Sequence, residues 1–161
     1  MGKLEKWREL IQNGSIILFW DTKILERNLK QLECDGFEIY SFDCTLWNEK
    51  NFHEEFASTL NFPDYYGKNL NAFNDCLSDI LPKKTGFILT FKNYDVFTKR
   101  YPDIAYDILD IIQLNAWRNL IEGNVLLGFV QSNDGNFSMP PVGGMSPCWN
   151  SNEWLDKNRA L

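Results

Sequence analysis

Catalysis near neutral pH needs a group that titrates there, an activated nucleophile, or a metal. This chain of 161 residues has one histidine, His53, so any Ser/His/Asp or Cys/His relay would have to run through it. His53 sits between Phe52 and the pair Glu54-Glu55, with no nucleophile motif nearby. A solvated or half-buried helix histidine is the expectation. The sequence contains no GxSxG, Walker A, GxGxxG or HExxH pattern. Carboxylates offer the other route, through a divalent cation: Asp103, Asp107 and Asp110 fall on one helix face, and Glu54-Glu55 is a smaller cluster. One helix rarely supplies enough oxygen ligands in the required geometry, so the expectation is a solvated acidic face, with no metal and no cofactor. An acid-dependent metal enzyme on the Asp103 face is the alternative that keeps catalysis. Cys34, Cys44, Cys76 and Cys148 show no CxxC spacing, which argues against a zinc ribbon or a thioredoxin-type motif and for reduced thiols. The basic stretch from Lys83 to Arg100 reads as a solvated edge.

Binding chemistry is concentrated elsewhere, in FPDYYGKNLNAFNDCLSDI, residues 62–80. Asn and Asp are poor helix formers because their side chains compete with the backbone for hydrogen bonds. Here they recur along a helical pattern. Leu70, Phe73, Cys76, Leu77 and Ile80 gather on one side, and Asn71, Asn74, Asp75 and Ser78 form a polar ridge on the other. Short side chains lose less rotamer freedom when fixed at an interface than Lys, Glu or Gln would, so such a ridge can approach a partner closely. Ahead of it, Pro63 favours an extended entry, Gly67 permits a tight turn, and Asn69 is placed to cap the helix. Of Tyr65 and Tyr66, one can pack inward while the other offers its ring and hydroxyl outward. The plain alternative is a helix with a polar outer face and no partner.

The elements that position this ridge follow from periodicity. Helical patterns are expected over Lys3–Gln12, after the cap at Asp21 or Thr22 to Asp35-Gly36, over Glu49–Leu60, and over Ile104–Leu120; apolar runs at Ile16–Trp20, Phe37–Phe42, Gly86–Phe91 and Val125–Val130 read as strands. Strands separated by helical crossovers predict an α/β fold with a mostly parallel, three- to four-stranded sheet packed with helices. The expected organisation is an N-terminal helix-strand-helix addition (1–35) packed on the same domain, a main domain (36–132), and a loop-rich tail (133–161) in which Phe137, Trp149 and Trp154 dock.

Composition narrows the partner. A formal charge of −6 argues against a nucleic-acid binder, which needs a basic stripe to displace counterions, and favours a basic partner. With aromatics at 15%, including six Trp, an aromatic-rich core is expected. No apolar stretch approaches a membrane span and the start lacks a secretory pattern, so a cytoplasmic chain without membrane contact is expected.

Pro63, Tyr65, Tyr66, Gly67, Asn69, Leu70, Ala72, Asp75, Cys76 and Leu77, in that register and without gaps, resemble the signature of the barstar family, small intracellular inhibitors of barnase-type ribonucleases. The resemblance runs from about Gly36 to Ser132 and implies a barstar-like fold. It also implies inhibition by occlusion: the loop and helix plug a nuclease active site in a one-to-one complex, without catalysis. Asp75 would mimic a phosphate, Tyr65 would lie against active-site groups, and Gly67 and Asn69 would supply loop contacts. Asn71, Asn74, Ser78 and Glu122 complete the implied surface. Asn71 stands where the best-known member carries an Asp, Asn74 where a Trp is usual, and Lys68 adds positive charge. These departures make the site less acidic. The reading is an immunity protein against a basic ribonuclease, expected to be a toxin; the alternative is an interaction module of the same fold with a non-nuclease partner.

Overall fold

The apolar runs at Ile16–Phe19 (β1), Gly86–Lys92 (β3) and Val125–Gln131 (β4) are almost wholly buried because helices cover both faces of the sheet they build. The computed structural model describes residues 5–156 and 158–159. Its other elements are α1 (Lys6–Leu10), α2 (Thr22–Cys34), β2 (Phe37–Asp43), α3 (Phe52–Thr59), α4 (Leu70–Ser78), α5 (Tyr94–Arg100), α6 (Pro102–Ile121) and β5 (Cys148–Trp149). Lys3 and Leu4, which opened the first expected helix, and Lys157, Ala160 and Leu161 of the tail lie outside the described residues.

All strands are parallel, in the order β2-β3-β4-β1-β5. The sheet is thus an α/β arrangement with one strand more than expected. The extra strand comes from the tail, where Cys148 and Trp149 pair with Ile17 and Leu18 of β1. Alternation along the strands sends side chains into two cores. Ile16, Leu18, Phe87, Leu89, Phe91, Leu126 and Val130 pack beneath α3, α4, α5 and α6. Ile17, Phe19, Ile88, Val125, Leu127 and Phe129 pack beneath α1 and α2.

The aromatic content goes mainly into the first core. Trp47, Phe52, Phe56, Phe73, Phe91, Tyr94 and Phe97 are each less than 2% exposed and interlock, largely edge to face. β1 approaches α6 closely where it passes β4: a Cβ on Gly128 would lie 2.6 Å from Ile16 Cδ1 and 3.4 Å from Ile112 Cγ2. A side chain there requires the end of Ile16 to shift.

Element boundaries differ from the periodicity where local polar chemistry intervenes. α3 begins at Phe52 rather than Glu49, because Asn48 Oδ1 accepts from the Lys50 and Asn51 amides and Asn51 Oδ1 accepts from the Asn48 amide. α6 starts with Pro102 in its first turn, where a missing N–H costs nothing. The basic stretch contains α5, a helix the pattern did not reveal: Asn93 takes a left-handed conformation (φ +60°), and Tyr94, Asp95 and Phe97 are buried. In the tail Phe137 is buried and Trp149 half-buried, whereas Trp154 stays about half exposed instead of docking fully.

Candidate functional site

The ridge helix α4 is held by its apolar side. Phe73 stacks on Phe56 of α3 with ring centroids 4.4 Å apart, and Phe73 and Leu77 are fully buried. Burying each such side chain stabilises the docked helix by roughly 1.5–3 kcal/mol. The helix starts as the sequence indicates: Asn69 is extended, and its Oδ1 accepts from the Ala72 amide at 2.8 Å.

The preceding loop is anchored by one tyrosine and displays the other. Tyr66 is buried against Phe62, and its hydroxyl lies 2.5 Å from His53 Nδ1. Tyr65, one residue earlier, is 81% exposed. Burial pushes the Tyr66 hydroxyl well up, with a smaller contribution from Cys76. His53 is therefore neither solvated nor half-exposed. It is a buried packing residue on α3, its imidazole held below its ordinary range by burial first and by Lys68 second. The turn also differs in detail from the expectation. The positive φ falls on Lys68 (φ +51°), while Gly67 lies close to the cap, since a Cβ there would sit 3.1 Å from Asn69 Nδ2. Asn69 Nδ2 in turn donates to the Gly67 carbonyl at 3.2 Å.

Along the ridge, Asn71, Asp75 and Ser78 are exposed on successive turns. The Ser78 hydroxyl donates to the Asp75 carbonyl at 2.7 Å. Asn74 is different: it is half-buried, and its Oδ1 accepts from Asn115 Nδ2 of α6 at 2.8 Å. Lys68 pairs with Glu54 at 3.8 Å, an exposed contact of little energetic weight that nonetheless offsets the loop's positive charge. Tyr65, Gly67, Asn69, Asn71, Asn74, Asp75 and Ser78 thus share one loop-helix unit. Glu122 is set apart from it, exposed at the end of α6 two turns beyond Asn115, or about 10 Å along the helix axis.

The acidic face of α6 has another use. Asp110 Oδ1 accepts from the Gly143 amide at 2.7 Å, tying the tail to the helix. Partial burial, then Asp103 and Asp110, raise the Asp107 carboxyl above its ordinary range. Among the described residues no group of three or more His, Cys, Asp or Glu could hold a metal ion. No described helix is long and apolar enough to cross a membrane.

What the sequence did not reveal is that His53 anchors the loop through Tyr66 and that Asn115 of α6 meets Asn74, with Asn119 one turn further on. Asn115 and Asn119 fall among the buried positions of α6, and amides there were the available signal. Asn119 Nδ2 donates to the Asn115 carbonyl at 2.8 Å.

The profile of the family described as Barstar (barnase inhibitor) matches residues 37–126, from the start of β2 into β4 and across the whole loop-helix unit. The chain is also similar to YrdF of Bacillus subtilis (strain 168), whose given name proposes a ribonuclease inhibitor; the two are 35% identical over 66 residues, 41% of this chain and 70% of that protein. The chain belongs to the barstar family, a family of inhibitors rather than enzymes. α1, β1, α2 and the tail lie outside the family match.

Proposed function

We propose that this protein inhibits a basic ribonuclease by inserting the Tyr65–Ser78 unit into its active site. The observation that carries the reading is the pairing of an anchored and a displayed tyrosine, Tyr66 buried and Tyr65 81% exposed, at the mouth of a helix that exposes Asp75. A rigid ring and a fixed carboxylate on a capped helix need little ordering on binding. Asp75 is the phosphate mimic, Tyr65 lies against active-site groups, Gly67 and Asn69 form the loop contact, and Asn71 and Ser78 flank the carboxylate. Glu122 provides a separate outlying contact. The net charge of −6 steers a basic partner toward the surface. The complex is one-to-one, the target is a toxin, and the protein acts as its cytoplasmic immunity partner.

Calorimetric titration of wild type and Asp75→Ala with a barnase-type ribonuclease tests this reading. The variant should lose about 2–5 kcal/mol of binding free energy, the general cost of removing one member of a buried charge pair. Unchanged affinity would remove Asp75 from the interface. The neutral amides at Asn71 and Asn74 favour a second reading, a non-nuclease partner on the same surface; recovery of only non-nuclease proteins by affinity capture supports it.

A further inference from the structure

We propose that Asn115 is a positioning residue that sets the polarity of the ridge, so that Asn74 offers its partner hydrogen-bond donors and selects a carbonyl or carboxylate acceptor beside the cation met by Asp75. The proposal rests on the reading of the ridge given above and adds a chemical specificity to it.

The orientation of the amides follows from the bonds themselves. Asn115 is fully buried on α6, and its terminal amide contacts the Ile111 carbonyl at 2.9 Å and Asn74 at 2.8 Å through the same atom. A backbone carbonyl can only accept, so that atom is Nδ2, and its two hydrogens are both used. The atom of Asn74 facing it must then be an acceptor, its Oδ1. With that oxygen turned into the α4–α6 seam, the half-exposed Asn74 has its Nδ2 hydrogens left for a partner.

A second observation separates this role from packing. Asn115 Oδ1 is buried without a hydrogen-bond partner among the described residues. A leucine would fill a buried helix position without leaving an unpaired acceptor, so stability alone disfavours asparagine here. What the asparagine supplies is the bond that fixes Asn74. Aspartate at position 74 would accept the same bond from Asn115 while presenting only acceptors outward. A ridge built solely to meet positive charge would bind better with that change; a ridge that donates at position 74 would bind worse.

Inhibition constants in a fluorogenic RNA-cleavage assay, against the barnase-type ribonuclease that the full chain inhibits most tightly, distinguish these cases, with melting temperatures measured in parallel. Asn74→Asp should weaken inhibition about tenfold despite adding negative charge, and Asn115→Leu by a similar factor with an unchanged or higher melting temperature. Tighter or unchanged inhibition by Asn74→Asp overturns the proposal, as does unchanged inhibition by a folded Asn115→Leu. If Asn115→Leu does not fold, Asn115→Ala serves instead: it removes the donor to Asn74 without adding bulk or a buried charge, and should weaken inhibition by a similar factor. Asp75→Ala separates the levels. Without effect, it removes the reading of the ridge and this proposal together; weakened while Asn74→Asp is unchanged, it removes the donor assignment alone.

Discussion

The Tyr66 hydroxyl lies 2.5 Å from His53 Nδ1, joining the loop that displays Tyr65 to the buried side of α3. Burial, followed by the charge of Lys68, holds the imidazole below its ordinary value of 6.5, so Tyr66 donates to a neutral ring. Lys68 is in turn paired with the exposed Glu54 at 3.8 Å. The unfolded chain takes up the proton first as the pH falls below 6.5. Stability from the neutral pair is therefore complete above that value and is lost as the pH drops toward the depressed folded value. Melting temperatures should fall from about pH 7 to about pH 5 more steeply in wild type than in His53→Asn, which has no proton to gain in this range; equal slopes would refute the linkage. Tyr66→Phe, which leaves Nδ1 without its donor, should cost about 1–3 kcal/mol in denaturant unfolding at neutral pH.

Asn69 caps α4 through its side-chain oxygen. Asn69→Ala should destabilise the protein by about 1 kcal/mol and Asn69→Asp by much less, because aspartate retains the acceptor. Equal losses in urea unfolding would mean that the amide donor to Gly67, not the cap, is the contact that matters.

Gly128 faces Ile16 Cδ1 across the β1–β4 pair. Gly128→Ala should cost about 1–3 kcal/mol by overpacking. Removing that methyl with Ile16→Val should recover part of the loss, so the double variant should be more stable than the sum of the singles predicts. Strict additivity in denaturant melts would place the strain elsewhere.

Glu153 is fully buried, and its carboxylate accepts from the Trp20 and Asp21 amides at 2.7 Å each and from Asn150 Nδ2 at 3.0 Å. Glu153→Ala strands two backbone donors at the end of β1 and should cost about 1–3 kcal/mol. Limited proteolysis should then cleave first after residue 132, with the family-matched region persisting; simultaneous loss of both would show that the tail and the main domain unfold as one unit.

The loop-helix unit was legible because its signals are local. The apolar spacing of Phe73, Cys76 and Leu77 and the Asn69 cap are set within a turn or two of the residues concerned, whereas the anchoring of Tyr66 depends on His53, thirteen residues away. Strand order was not legible, since it depends on which distant edges pair. Two-residue β5 is too short to show a period, and Glu153 reads as an exposed charge unless the amides at Trp20 and Asp21 are known to converge on it. Asn74 sits on the polar side of α4 in any helical projection. Only the approach of α6 reveals that its oxygen is already taken. α5 was hidden because it is only seven residues long, too short to show a helical period, and ends on the charged pair Lys99-Arg100.

The placement of β1 between β4 and β5 has a consequence for synthesis. β2, β3 and β4 follow one another along the chain and pair in that order, with α4 made between the first two, so α4 and these strands can assemble as they leave the ribosome. β1 emerges before all of them, yet its partners are Gly128–Gln131 and Cys148–Trp149, so it must wait for almost the whole chain. Until it docks, the outer edge of β4 is an unpaired template open to the wrong strand. Among the described strands, the first to be translated is thus held until residues 128–131 have been made, and β5, at the sheet edge beside β1, joins after it.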